Sequence, residues 1–184
     1  MSQTKNGDSP KKHKLQNEWT LWQVEYDPAR SWEDMLKKVD TFGTVEDFWN
    51  LYFRFDPPSK LTRGSDYMLF KKHIPPMWED PANSQGGRWL VCLPKSSTDD
   101  LDIIWLDVIL CLIGEACENY DHICGALVRI RKKVNKVAIW TKDGTDSEAI
   151  QEIGNKLRDV VRFKSNQTLQ YREHIKEFHI LKID

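Results

Sequence analysis

Residues 125–141, GALVRIRKKVNKVAIWT, constrain the fold more than any other stretch of the chain. From Gly125 to Arg131 the segment alternates, with Ala126, Val128 and Ile130 on one face and Leu127, Arg129 and Arg131 on the other. A turn around residues 132–135 then returns the chain into a second apolar run. Strands that reverse this tightly pair antiparallel. A loop of two or four residues sets Arg131 opposite Lys136 and Leu127 opposite Trp140. Arg129, Arg131, Lys136, Ala138 and Trp140 then share one side of a hairpin. Like charges facing each other across a ladder destabilise it, so the cluster is either a solvated hairpin face or a seat for an anion.

Further strands are expected at residues 19–25, 67–71 and 88–93. A helix is expected from Thr44, where T-V-E-D offers a capping box, with Phe48, Leu51, Tyr52 and Phe55 along one face. A second spans about residues 101–118 and is apolar around most of its circumference. A third begins near Thr145, where T-D-S-E forms a similar box, and carries Ile150, Ile153, Leu157 and Val160 in one stripe. Interspersed strands and helices with hairpin connections indicate an α+β domain, its helices packed on one face of a largely antiparallel sheet.

The 184 residues suit one domain, with residues 1–13 a polar, disordered tail and residues 14–184 the folded unit. Lys and Arg number 27 against 28 Asp and Glu, so the chain lacks the excess of cations needed to coat a long duplex; contact with nucleic acid has to be local. The longest apolar run, residues 103–113, is interrupted by Asp107 and is too short to span a membrane. The N-terminal residues have no apolar segment of the kind a signal peptide requires. Cys92, Cys111, Cys117 and Cys124 form no C-x-x-C pair and lie mostly in apolar stretches, which reads as reduced thiols of a cytosolic or nuclear protein. The sequence calls for no metal and no cofactor, and no nucleotide-loop or nucleophile motif is present. Catalytic residues are not expected.

Two of the eight tryptophans occupy segments that cannot join a helix or a central strand. Trp78 sits in P-P-M-W-E-D-P from Pro75, where three prolines remove donors and fix φ. Trp32 sits in the turn-rich P-A-R-S-W-E-D from Pro28, where it is either a plug at the start of a helical turn or a free π face. Two such faces, with Glu79 beside one and basic residues nearby, suit a nucleotide. The rings stack on the base, the carboxylate accepts guanine N–H donors, and Arg and Lys hold phosphates. On the helix from Thr44, Trp49 falls about 110° from the centre of the apolar stripe, either as a partner anchor or lying flat on its own domain.

These motifs together resemble the eukaryotic translation initiation factor 4E family, which binds the 7-methylguanosine cap of messenger RNA. The matching pieces are H-x-L-Q-N-x-W-x-L-W from His13, T-V-E-D-F-W from Thr44, P-M-W-E-D from Pro76 and G-G-R-W from Gly86. W-L-D from Trp105, C-L-I-G-E from Cys111 and I-W-T from Ile139 complete the set, which covers residues 13–174. The resemblance implies a curved sheet with about three helices on its convex back and the ligand slot in the concave face. Carried over by motif, Trp32 and Trp78 sandwich the methylated base, Glu79 accepts its N1 and N2 hydrogens, and Trp140 contacts the methyl group. Arg131 and Lys136 hold the triphosphate, with Arg88 and Lys133 in weaker or water-mediated contacts.

The resemblance also implies that Trp49, with His13, Val45, Leu106 and Asp107, receives a Tyr-x-x-x-x-Leu-hydrophobic helix of the initiation scaffold protein or of competing 4E-binding repressors. It implies a cytoplasmic and also nuclear monomer without membrane association that initiates cap-dependent translation. A cap-binding repressor that leaves the scaffold unrecruited is the alternative, and an enzyme acting on capped nucleotides finds no metal-binding carboxylate cluster to support it. The sequence departs from the family pattern at three places. Asp107 stands where Glu is frequent, Lys14 where many members have Pro, and no serine follows Ser165 to carry a phosphate near the C-terminus.

Overall fold

The computed structural model describes residues 10–174. In chain order its elements are β1 (Lys14–Val24), α1 (Trp32–Met35), β2 (Leu36–Thr44), α2 (Val45–Tyr52), β3 (Asp66–Lys71), β4 (Gly87–Pro94) and α3 (Thr98–Ile113). They continue with β5 (Ile123–Arg129), β6 (Val134–Thr141), α4 (Ser147–Val160) and β7 (Leu169–Glu173). Short 3-10 turns occupy Pro58–Lys60 and Tyr120–His122. The seven strands form one curved sheet in the order β2-β1-β3-β5-β6-β4-β7, with every ladder antiparallel.

Alternation gives each strand two kinds of neighbour. Leu69, Ala126 and Ile139 point to the convex side, where they bury against Phe48 and Leu51 of α2, Ile104 and Val108 of α3, and Ile153 and Leu157 of α4. Met68, Leu127, Ala138 and Leu90 point to the concave side, into a second and smaller apolar cluster. All three longer helices therefore pack on one face, and the one-turn α1 is left on the other, its Met35 buried in the concave cluster.

The helix termini follow from local chemistry. Thr44 Oγ1 accepts the Asp47 N–H at 3.1 Å and its hydroxyl donates to Asp47 Oδ2 at 2.7 Å, so Asp47 completes the N-terminal box of α2. The expected box at Thr145 shifts by one residue: Asp146 caps α4 by accepting the Ala149 N–H at 3.0 Å, and the Thr145 hydroxyl turns back to Asp143. Val160, expected in the apolar stripe of α4, is exposed. The second helix stops at Ile113 rather than Glu118, because Gly114 closes it and Glu115 turns the chain through a positive φ of 50°. Cys92 is exposed, whereas Cys111, Cys117 and Cys124 are buried.

Strands β2 and β7, which the pattern did not announce, are the two sheet edges. β2 leaves α1 at Leu36 and enters α2 at Val45 with no connecting residue at either end. Among the described residues no helix is long and apolar enough to cross a membrane. Of the expected tail, Lys12 and His13 contact α2, while residues 1–9, like residues 175–184 with the departing C-terminal sequence, lie outside the described residues.

Candidate functional site

The concave face is built as rows that cross the sheet. At one end Asp66, Arg129, Lys136 and Cys92 stand side by side on β3, β5, β6 and β4. The next row is Met68, Leu127, Ala138 and Leu90, and the third is Phe70, Gly125, Trp140 and Arg88. The sheet thus presents a charged strip, an apolar strip and an aromatic strip in succession. The hairpin register differs from the expected one by two residues: Arg129, not Arg131, faces Lys136, and Gly125, not Leu127, faces Trp140. Six residues rather than four separate the pair nearest the turn, Arg129 and Lys136, and this even shift leaves the face of every paired side chain unchanged. Arg131 lies just beyond β5.

Trp140 is buried and meets Phe70 edge-on, with ring centroids 5.4 Å apart and planes at 85°. That packing requires Gly125 between them, because a Cβ there would collide with the Phe70 ring and lie 2.5 Å from the Leu69 carbonyl oxygen. On its other side His174 lies 4.5 Å from the Trp140 ring, and Arg88 Nη1 donates to His174 Nδ1 at 3.1 Å. Arg88 is thereby held over the edge of the aromatic strip.

Two segments border this floor. Ser31 caps α1 by accepting the Asp34 N–H at 3.2 Å, and the Arg30 guanidinium donates to the Asp34 carbonyl, so Trp32 begins a turn fixed at both ends. Trp32 is half-buried against the concave cluster, as the plug reading required, yet it keeps part of its ring exposed. The proline-rich loop is fixed by Asn83, which is fully buried and whose Nδ2 donates to Pro75 O at 3.0 Å and Met77 O at 2.7 Å. Asp80 tightens the same loop by accepting the Ala82 N–H at 2.9 Å. Trp78 remains 39% exposed, Glu79 is exposed, and Ala82 packs on the same concave cluster as Trp32.

The charged strip has a buried anion at its centre. Asp66, 1% exposed, accepts from Arg131 Nη1 at 2.5 Å and Nη2 at 3.0 Å, and Arg129 Nε lies 3.3 Å from its second oxygen. Burial pulls the Arg129 guanidinium below its ordinary value and Asp66 recovers part of the loss. Two guanidinium groups share one carboxylate, so the strip stays net positive. Lys136 is half-buried and Lys133 exposed, and neither has an ion-pair partner among the described residues.

On the convex side, α2 carries a separate aromatic surface. Trp49 stacks on Phe53 with centroids 5.6 Å apart and planes at 24°, and Phe53 is 77% exposed. Val45, one turn before Trp49, is also exposed, and its N–H donates to His13 O at 2.9 Å. Glu46 accepts from both the backbone N–H and the ring of His13, which holds its carboxyl below the usual value. Leu106 of α3 is half-buried against the same core as Trp49. Asp107 is occupied: burial pushes its carboxyl up, but three hydrogen bonds from Arg162 more than offset this and hold it low.

Residues 14–180 match the family described as Eukaryotic initiation factor 4E. The chain belongs to the eukaryotic initiation factor 4E family. It is 59% identical over 163 residues to Eukaryotic translation initiation factor 4E1 of Drosophila melanogaster, covering 89% of this chain and 63% of that protein. The chain therefore spans less than two thirds of that relative's length. The crystal structure of Ascaris suum eIF4E-3 with an m2,2,7G cap superposes with a TM-score of 0.87 at 43% identity, covering 89% of this chain and 92% of the other. The complex of C. elegans eIF4E-3 with the 4E-binding protein Mextli and a cap analog gives 0.87 at 43%, covering 92% and 96%.

Within this 4E-family chain, Trp32, Trp78, Glu79, Arg88, Arg131, Lys133, Lys136 and Trp140 all lie on the concave floor or on segments at its rim. Val45, Trp49 and His13 meet on one surface of α2, with Leu106 on the neighbouring helix. Asp107 instead faces the residues that follow α4. Sequence reasoning missed Asp66, Asn83 and His174. Asp66 could have been found, since an acid opening an apolar strand on the face of two arginines needs them as partners. Nothing local marks Asn83 or His174.

Proposed function

We propose that this chain binds the 7-methylguanosine 5′ cap of messenger RNA and recruits a scaffold protein for cap-dependent initiation. One observation carries the reading: a carboxylate-braced Arg131 and Lys136, which has no ion-pair partner among the described residues, stand across the apolar strip from Trp140, with the Trp32 and Trp78 segments at the rim of the same floor. That order suits a base, a ribose and a chain of phosphates laid across the sheet.

In this reading Trp32 and Trp78 take the base between them and Glu79 accepts its N1 and N2 hydrogens. Methylation at N7 makes the guanine cationic, so each indole adds a cation–π attraction to ordinary stacking. The same charge acidifies N1–H and strengthens its bond to Glu79. Trp140 meets the methyl group, Arg131 and Lys136 take the phosphates, and Arg88 and Lys133 contribute at longer range. The chain acts by binding and turns nothing over. It works as a monomer in the cytoplasm, and in the nucleus as well.

The exposed Val45 and Phe53 and the half-buried Trp49 between them favour productive scaffold recruitment over silent occupation of the cap, because an apolar helix of Tyr-x-x-x-x-Leu-hydrophobic type can lie across them. His13, Leu106 and Asp107 would complete that surface, Asp107 only after exchanging Arg162 for the incoming helix. Intrinsic tryptophan fluorescence during titration with 7-methyl-GTP, with GTP as control, tests the cap reading. Saturable quenching selective for the methylated nucleotide, lost in Trp32→Ala and Trp78→Ala, is the expected result. Equal responses to the two nucleotides would refute it.

A further inference from the structure

The positive charge at the end of the concave face exceeds what a cap triphosphate can use. Gly64, at φ 93°, donates its N–H to Ile130 O at 2.8 Å, and Ile130 donates back to Ser65 O at 3.0 Å, so the turn carrying Arg63 is laced to the β5–β6 loop. Asn135, buried, offers one carbonyl oxygen to two groups. The Lys95 ammonium donates to it at 2.9 Å and the Arg131 backbone N–H at 3.4 Å. Burial and, after it, the charge of Arg63 pull the Lys95 ammonium below its ordinary value, which puts Arg63 within electrostatic reach of Lys95. Lys132 and Lys133, both exposed, occupy the loop between.

Arg63, Lys95, Lys132 and Lys133 thus extend the strip formed by Arg129, Arg131 and Lys136, and the carboxylate that joins this group in the ladder is the buried Asp66. Among the described residues, Arg63, Lys132 and Lys133 form no ion pair. So dense a cluster, in a chain whose net charge is -1, opposes folding unless an anion relieves it. A triphosphate bridge carries about one negative charge per phosphate. With Asp66 subtracted, Arg129, Arg131 and Lys136 supply two positive charges and Lys133 a third, which meets that demand and leaves Arg63, Lys95 and Lys132 over.

We propose that Arg63, Lys95 and Lys132 form a track for the phosphodiester backbone of the nucleotides that follow the cap. The track reads charge and spacing rather than base identity, and it adds affinity for a capped strand beyond that for the cap alone. This inference rests on the cap reading above.

The experiment titrates wild type and the double variant Arg63→Glu/Lys132→Glu with three probes: 7-methyl-GTP, a capped pentanucleotide, and the same pentanucleotide bearing an uncapped 5′-triphosphate. Both substituted residues are exposed and outside the cap slot, so the fold and 7-methyl-GTP affinity should stay within twofold of wild type. In wild type the capped strand should bind more tightly than 7-methyl-GTP. Two additional phosphate contacts steepen its salt dependence enough to shrink that advantage about sevenfold between 50 and 200 mM salt. The double variant should lose both the advantage and the extra slope. Equal affinities and slopes for capped strand and 7-methyl-GTP in wild type would overturn the track, as would a variant that weakens both probes alike. Absent 7-methyl-GTP binding with retained, Arg63-dependent binding of the uncapped strand would overturn the cap reading and leave the track standing. An acidic peptide that binds the rim while the capped strand gains nothing would assign it to a protein partner and overturn the RNA proposal.

Discussion

Replacing Asn83 by Ala isolates the contribution of loop shape to ligand binding. The Asn83 amide is fully buried and bridges the carbonyls of Pro75 and Met77, which precede Trp78 and Glu79. Two hydrogen bonds at about 0.5–1.5 kcal/mol each set a loss of about 1–3 kcal/mol. Part of this is recovered, because Asn83 Oδ1 is buried without a partner and its removal relieves a desolvated acceptor. A net cost of about 1–2 kcal/mol remains. These bonds lie within one loop, so the cost falls on the population of the binding-competent loop, and 1.4 kcal/mol of it raises Kd about tenfold. The assay is quenching of tryptophan fluorescence by 7-methyl-GTP, run beside thermal denaturation. Kd should rise by about five- to thirtyfold while Tm falls by no more than about 4 °C for each kcal/mol that does reach the global fold. Asn83→Asp keeps the volume but turns an anion toward two carbonyls, and should be worse than Ala. A Kd within twofold of wild type in the Ala variant would refute the argument that Asn83 positions Trp78.

Trp49→Ala removes the ring stacked on Phe53 and should lower affinity for a Tyr-x-x-x-x-Leu-hydrophobic peptide at least tenfold in a pull-down or polarisation assay, with 7-methyl-GTP binding unchanged. Gly125→Ala inserts a methyl group into the contact between the Phe70 ring and Leu69 O, and about 1–3 kcal/mol of overpacking should lower Tm by several degrees and weaken cap binding through Trp140. Burial pushes the Tyr67 hydroxyl up to about 12, and Cys124 likewise to about 12. Both groups ionise more easily in the unfolded chain, so their contribution is intact below the unfolded values near 10 and 8.5. Stability should then fall as pH rises from about 9 toward 12, with Tyr67 the last tyrosine to titrate by ultraviolet absorbance. A chain equally stable to denaturant at pH 8 and 11 would contradict this.

The hairpin shows what a pattern carries and what it omits. Parity was legible at residues 125–141 because side chains alternate with a period of two, so even a two-residue error in register left Arg129, Lys136 and Trp140 on one face. The register itself was not, since it depends on how far the turn extends, and six residues rather than four separate Arg129 from Lys136. β2 and β7 escaped notice because edge strands meet one neighbour and tolerate charge on both faces, as Lys37, Lys38 and Asp40 do in β2. Trp32 and Trp78 could be singled out from their prolines and turn residues alone. The partners that fix Arg131 and Arg88, namely Asp66 and His174, are 65 and 86 residues away; Asp66 betrays itself as an acid at the head of an apolar strand, whereas His174 leaves no local trace.

β2 runs without slack from the turn that begins with Trp32 to the helix that carries Trp49. A strand of this length is a rod of roughly 30 Å, clamped along one side by β1 and free along the other. Its two ends stand on opposite surfaces of the sheet, so a ligand that draws in one end and a helix that grips the other pull on a single tether. Whatever free energy passes along it passes equally in both directions. A capped end and a scaffold helix measured together should therefore show a reciprocal change in affinity, and a flexible insertion at either end of β2 should uncouple them while each still binds alone.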